Sequence, residues 1–158
     1  MRPLPPDEWD DFTKTNPYNV FATLARHPEL YQGWLRFGGA LLNGRLPARD
    51  RELAILRTAY HADSAYEWAH HSRAALAAGL TAQEVESVRQ LDALWSVEDQ
   101  LVLQVADDLH YAGDLTDATW RALCDRYDEA RRIELVMLVA HYGMLALVLR
   151  TLRVAIEE

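Results

Sequence analysis

The chain has 158 residues, half of them hydrophobic, and a formal net charge of -8. That length suits one domain with a real core, while the acidic balance excludes a general nucleic-acid binder and argues against an anionic membrane as partner. Cys124 is the one cysteine, so there is no intrachain disulfide and no cysteine-based metal site, and a reducing cytoplasm is the expected compartment.

Residues 1–17 hold four prolines and lack the apolar core of a signal peptide, so the spacing predicts an extended N-terminal arm. A helix fits Tyr18 to Arg26. Pro28 suits the first turn of the next helix, which runs to about Leu42 and stops at Asn43-Gly44. Pro47 opens a helix that carries Glu52 and ends near His61. Ser64 opens another, closed by Gly79. Thr81 with Glu84 spells a capping box and starts a short helix. Ser96 starts a helix to about Tyr111, stopped by Gly113, and Thr116 starts one to about Tyr127. The last helix runs from about Glu129 to the end. No segment alternates long enough to be a strand, and there is no linker or repeat. The expected fold is therefore all-α, a single compact helical bundle over residues 1–158. From Leu135 to Leu149 the last helix is apolar nearly all round. The run is shorter than the roughly 20 apolar residues of a bilayer span, and His141 interrupts it. Such a helix is either central in its bundle or covered by a partner chain, and a subunit interface is expected to contribute.

The stretch from Arg51 to His71, RELAILRTAYHADSAYEWAHH, concentrates the chemistry. Glu52 shares a helix face with Ile55, Leu56, Ala59 and Tyr60, whereas Arg49 and Arg51 fall on other faces. A carboxylate among apolar neighbours is costly unless partnered. Glu67 and His71 are one turn apart, beside alanines that leave room for a cavity. Structural roles stand beside these. Ser64 to Glu67 is itself a capping-box spelling. Glu52 would serve equally as an ion-pair partner of His71 or an arginine. His70 reads as a solvated or interface histidine, and His141 as a satisfied core histidine. His61 and His110 sit at helix ends, where a histidine helps satisfy carbonyls. Motifs for zinc proteases, nucleophile elbows, P-loops and dinucleotide sites are missing. His70 and His71 point about 100° apart and cannot grip one metal from a helix. No metal and no cofactor are expected.

This central block, followed by AALAAGLTAQEVESV and flanked by LARHPELYQGWLRFGGALLNGRLPARD and WSVEDQLVLQVADDLH, resembles the carboxymuconolactone decarboxylase family within the alkylhydroperoxidase D-like superfamily. The resemblance implies an all-helical subunit in a trimer or hexamer. It places Glu52 and His71 on the family's Glu and His. It puts Ser64 and Glu67 on the two positions that are cysteines in the peroxidase branch. Since neither can act as a thiol, thiol peroxidase activity is not expected. Tyr66-Glu67-Trp68 matches the decarboxylase-like branch. The implied function is cofactor-free acid/base catalysis on a small unsaturated or lactone-type organic acid. Glu52, Glu67 and His71 would be the catalytic cluster, His71 the proton donor, and Ser64, Tyr66, Trp68 and His141 would line the pocket. The same cluster would serve an isomerase, hydrolase or cyclase, and a non-catalytic helical oligomer or ligand-binding relative is the remaining alternative.

Overall fold

The computed structural model describes residues 1–90 and 93–157. Among them there are nine α-helices and no strand: α1 (Asp11–Thr15), α2 (Asn19–Leu24), α3 (Pro28–Leu42), α4 (Ala48–His61), α5 (Ala65–Ala77), α6 (Ala82–Ser87), α7 (Val97–Tyr111), α8 (Asp117–Arg126) and α9 (Glu129–Thr151). Side-chain oxygens cap the starts that the sequence marks. Ser64 accepts from the Glu67 amide, Ser96 from Asp99, Thr116 from Thr119, and Thr81 with Glu84 completes the reciprocal box. The expected extended arm differs: residues 1–17 contain a 3-10 turn at Pro6–Glu8 and the helix α1, whose start Asp10 caps through the Thr13 amide at 2.8 Å.

Helix α4 occupies the middle of the bundle. It packs on α5, α7 and α9, and Glu52 through Ala59 are all buried. Around it Leu53, Ile55 and Leu56 meet Leu103, Leu123, Leu135 and Leu138 in one core. Each such side chain contributes about 1.5–3 kcal/mol when fully buried. A tight turn sends the chain back into α5. Asp63 takes a left-handed φ of 50°, and the Ser64 amide donates to the Ala59 carbonyl at 2.9 Å. So short a connection lays α4 and α5 antiparallel and brings Glu52 opposite α5.

The central position of α4 leaves α9 as a flank. By length and composition α9 is apolar enough to cross a bilayer, yet one side of it packs in the core. On its other side Ile133, Met137, Ala140, Met144 and Leu147 are exposed, at alternating spacings of four and three. The helix ends at Thr151 rather than at the chain end, because Arg153 adopts a left-handed φ of 54° and turns the following segment back.

Candidate functional site

Helices α1, α2, α3, α5 and α9 enclose a cavity of about 380 Å³, a size that takes a small ligand. Its wall is mostly aromatic and aliphatic: Phe12, Phe21, Trp34, Leu35, Leu145 and Leu149 contribute, with Gly38 and Gly39 of α3 leaving open space beside them. Into this surface α5 delivers Tyr66, Glu67, His70 and His71, and α9 delivers His141 and Tyr142.

Glu67 is 2 % exposed, and neither carboxyl oxygen has a hydrogen-bond partner. The Ser64 hydroxyl caps the Glu67 backbone amide at 3.5 Å, but the Glu67 side chain does not close a capping box. Burial pushes this carboxyl up to about 8, and the nearby Ser64 hydroxyl draws it only part of the way back without good hydrogen-bond geometry to either oxygen. Glu67 therefore holds a proton at neutral pH.

Glu52 is equally buried and stands behind His71 rather than in the cavity wall. Its Oε2 lies 2.8 Å from His71 Nδ1, and its Oε1 accepts from Arg51 Nε at 3.1 Å. Arg51 thus folds back onto Glu52 despite its place on another face, while Arg49 binds Glu84 and Asp99. A carboxylate only accepts, so Nδ1 carries the proton in the Glu52–His71 pair and Nε2 is the nitrogen available to a ligand. The His71 ring meets Tyr142 edge-on at 4.9 Å. Burial, and then the charge of Glu52, raise the Tyr142 phenol, which stays protonated.

His141 is 5 % exposed, stacked on Trp34 at 6.2 Å and edge-on to Phe37 at 5.1 Å, and its Nδ1 has no partner. Burial lowers its pKa, so it is a neutral imidazole. Tyr66 lines the cavity as expected. Two expected lining residues do not. Ser64 serves as the N-cap of α5, and Trp68 lies about 100° round the helix from Glu67. There it carries the Arg89 guanidinium 3.9 Å above its ring in a separate surface groove. His70, expected to be solvated or at an interface, instead lines the cavity between the rings of Tyr18 and Tyr66, at 4.9 and 4.5 Å. His61, expected to satisfy helix carbonyls, instead binds Asp107 with Nε2 at 2.5 Å from Oδ1. Trp34 and Tyr142 are site residues that sequence reasoning missed. The only signal for Tyr142 was its place next to His141. Among the described residues no cluster of three or more His, Cys, Asp or Glu side chains is placed to hold a metal ion.

The site can thus donate a proton from a buried carboxylic acid and accept one at an imidazole backed by a carboxylate. The sequence model of the "Carboxymuconolactone decarboxylase family" matches residues 28–108, which span α3 through most of α7 and include Glu52, Glu67 and His71. No curated protein matches the sequence. Among solved structures, the chain is similar to an uncharacterized peroxidase-related protein from Ralstonia eutropha JMP134 described as an alkylhydroperoxidase AhpD core (TM-score 0.82, 19 % identity, 98 % of this chain and 87 % of that one). It is also similar to an uncharacterized peroxidase-related protein from Silicibacter sp. TM1040 (TM-score 0.82, 14 % identity, 99 % and 88 %). A third is a protein of unknown function from Agrobacterium tumefaciens (TM-score 0.78, 12 % identity, 94 % and 97 %). At these identities the likeness shows the fold.

Proposed function

The chain belongs to the carboxymuconolactone decarboxylase family, and we propose that it is a cofactor-free acid/base enzyme acting on a small unsaturated or lactone-type organic acid, with decarboxylation as its reaction. The observation that carries this is the buried, unpartnered Glu67 in a cavity wall it shares with His71. An unpaired buried carboxyl disfavours the fold, and such groups cluster where chemistry needs them. In the decarboxylation the bond to the carboxylate carbon breaks, CO2 leaves, and the electron pair passes into the substrate's own unsaturated carbonyl as an enolate. Glu67, protonated at neutral pH, delivers a proton to the enolate carbon. His71, oriented by Glu52 at Nδ1, relays a proton from solvent through Nε2 to restore Glu67. The donor is thus Glu67, with His71 as the proton relay that recharges it. Cys124 lies on α8, where Sγ accepts from Arg132 Nη1 at 2.8 Å away from the cavity wall. A dithiol peroxidase needs two thiols, and the chain has one.

Turnover of unsaturated lactone acids in D2O tests this. One deuterium is expected at the carbon that lost CO2, and Glu67→Gln or His71→Ala should lower kcat by about 10²–10⁴-fold. Unchanged rates in both variants would remove the assignment.

We also expect self-association into a trimer or hexamer. The exposed residues of α9 from Ile133 to Leu147 repeat with the period of a helix–helix seam, and a contiguous exposed apolar stripe marks an interaction surface. Light scattering should give a multiple of 18.0 kDa, and Met144→Glu with Leu147→Glu should dissociate it. A wild-type chain that stays monomeric at micromolar concentration would count against this.

A further inference from the structure

One further carboxylate meets two residues of the cavity wall from behind it. After α9, left-handed Arg153 turns the segment back across the start of α2, where the Asn19 side chain donates to the Ala155 carbonyl at 3.0 Å. Glu157 then reaches two residues that line the cavity, Tyr66 and His70. Its Oε1 accepts from the Tyr66 hydroxyl at 2.7 Å and from the Asn19 backbone N–H, and its Oε2 lies 2.7 Å from His70 Nε2. Donors from two helices, Tyr66 on α5 and Asn19 on α2, therefore converge on Oε1, with the His70 ring set beside Oε2, and hydrogen bonds to an ionised carboxylate are the strong ones.

Tyr66 is held for the task, since its oxygen accepts from the Val20 amide at 3.1 Å and its proton is left to point at the carboxylate. Burial lowers the His70 imidazole, which leaves it a neutral N–H donor. Burial opposes charge on Glu157, yet Tyr66 and the Asn19 amide hold its carboxyl below the usual range. The tethered fit is imperfect. Glu157 Oε2 and His70 Nε2 are close, but they are out of hydrogen-bond alignment and both are buried without a partner. Residues 154–157 carry no regular structure; the segment is tied by the Val154 amide to the Leu149 carbonyl at 3.0 Å and by Asn19 to Ala155, and neither bond involves the Glu157 side chain. Glu67 lies one helical turn from His70, and its unpartnered carboxyl faces the same cavity.

We propose that Tyr66, His70 and the Asn19 backbone amide form a carboxylate-binding subsite of the cavity, that Glu157 occupies it in the unliganded chain, and that a carboxylic acid with a ring-sized apolar body binds by displacing Glu157. This deepens the acid/base assignment, on which it rests for the cavity being the place of reaction. An acid held at Tyr66 and His70 lays its apolar body on the aromatic wall and brings its carbonyl system to Glu67 and His71.

Calorimetric binding of benzoate and of neutral benzamide tests it. A carboxylate held within the same chain competes at a millimolar or higher effective concentration, so Glu157→Ala should tighten benzoate binding about five- to tenfold, while benzamide gains less than about twofold. Adding Tyr66→Phe to Glu157→Ala should abolish the benzoate gain. Equal benzoate affinity with and without Glu157, an equal gain for benzamide, a gain that survives Tyr66→Phe, or no benzoate binding to Glu157→Ala at millimolar concentration would each overturn the proposal. Binding is read without turnover, so these outcomes are separate from a failure of the proton-transfer assignment, which shows in the kinetics of Glu67→Gln.

Discussion

Replacing Glu67 with glutamine is expected to raise the melting temperature above about pH 8 and to leave it nearly unchanged near pH 4.5. The unfolded carboxyl titrates near 4.5 and the folded one near 8. Between those values the folded chain binds more protons than the unfolded chain, so the wild-type protein loses stability as pH rises. Below the window both states are protonated and Glu67 adds no penalty; above it both are ionised and the full penalty stands. At about 1.4 kcal/mol per pH unit the ceiling is roughly 5 kcal/mol, a large share of the 5–15 kcal/mol or so that holds a domain together. Water reaching the ionised group from the cavity relieves part of this, so the expected gain is roughly 2–4 kcal/mol, or about 5–15 °C. Glutamine keeps the shape of the protonated acid and does not titrate. His70, His110 and His141 also shift with burial, but they are common to both chains, and the difference between the two pH curves isolates Glu67. Parallel curves would mean that Glu67 is ionised and partnered, which would end its role as proton donor.

Where the sequence carries local signals, it fixes its own helices. Pro28, the Thr81–Glu84 box, Ser96, Thr116 and Gly79 each act within one turn, and each marks the boundary found in the fold. The Glu52–His71 contact was legible for a related reason: helical spacing puts both on facing sides, and the turn at Asp63 allows only an antiparallel return. Glu67 was ambiguous because Ser64 offers the same cap whether or not the glutamate answers it. The contribution of Glu157 was not legible at all. It depends on a left-handed turn at Arg153, a residue that does not advertise one, and on contacts with α2 and α5 far away in sequence. The place of α9 was left open for a similar reason. Its all-round apolar character suits the centre of a bundle as well as an interface, and only packing shows that α4 takes the centre, with a buried arginine and a buried glutamate in it.

Those two charged groups of α4 are expected to respond in opposite ways to loss of their partners. Arg57 is fully buried. Its Nε and Nη2 donate to the two Asp107 oxygens at 2.6 and 2.8 Å, and its Nη1 donates to the Val88 carbonyl and, at 3.3 Å, to that of Gln90. Burial works against charge on Asp107, but Arg57 and then His61 hold its carboxyl down at about 2. Arg57→Ala would leave a mostly buried carboxylate with only His61, the Val88 and Gln90 carbonyls without their guanidinium donor, and a void. A cost of about 3–5 kcal/mol is expected, a fall in melting temperature of roughly 10 °C or more. His71→Ala removes the partner of a carboxylate buried still more deeply, yet Glu52 keeps Arg51 Nε at 3.1 Å and the vacated volume joins a cavity already present. Its cost should stay at about 1 kcal/mol or less, while turnover is lost. Chemical unfolding of the two variants beside the wild-type chain, with the oligomeric state checked in each, reads the contrast directly. A His71→Ala protein destabilised as severely as Arg57→Ala would make the Glu52–His71 pair a structural tie like Arg57–Asp107. A small loss would mean that the pair is held beside the cavity for something other than the fold, as proton transfer requires.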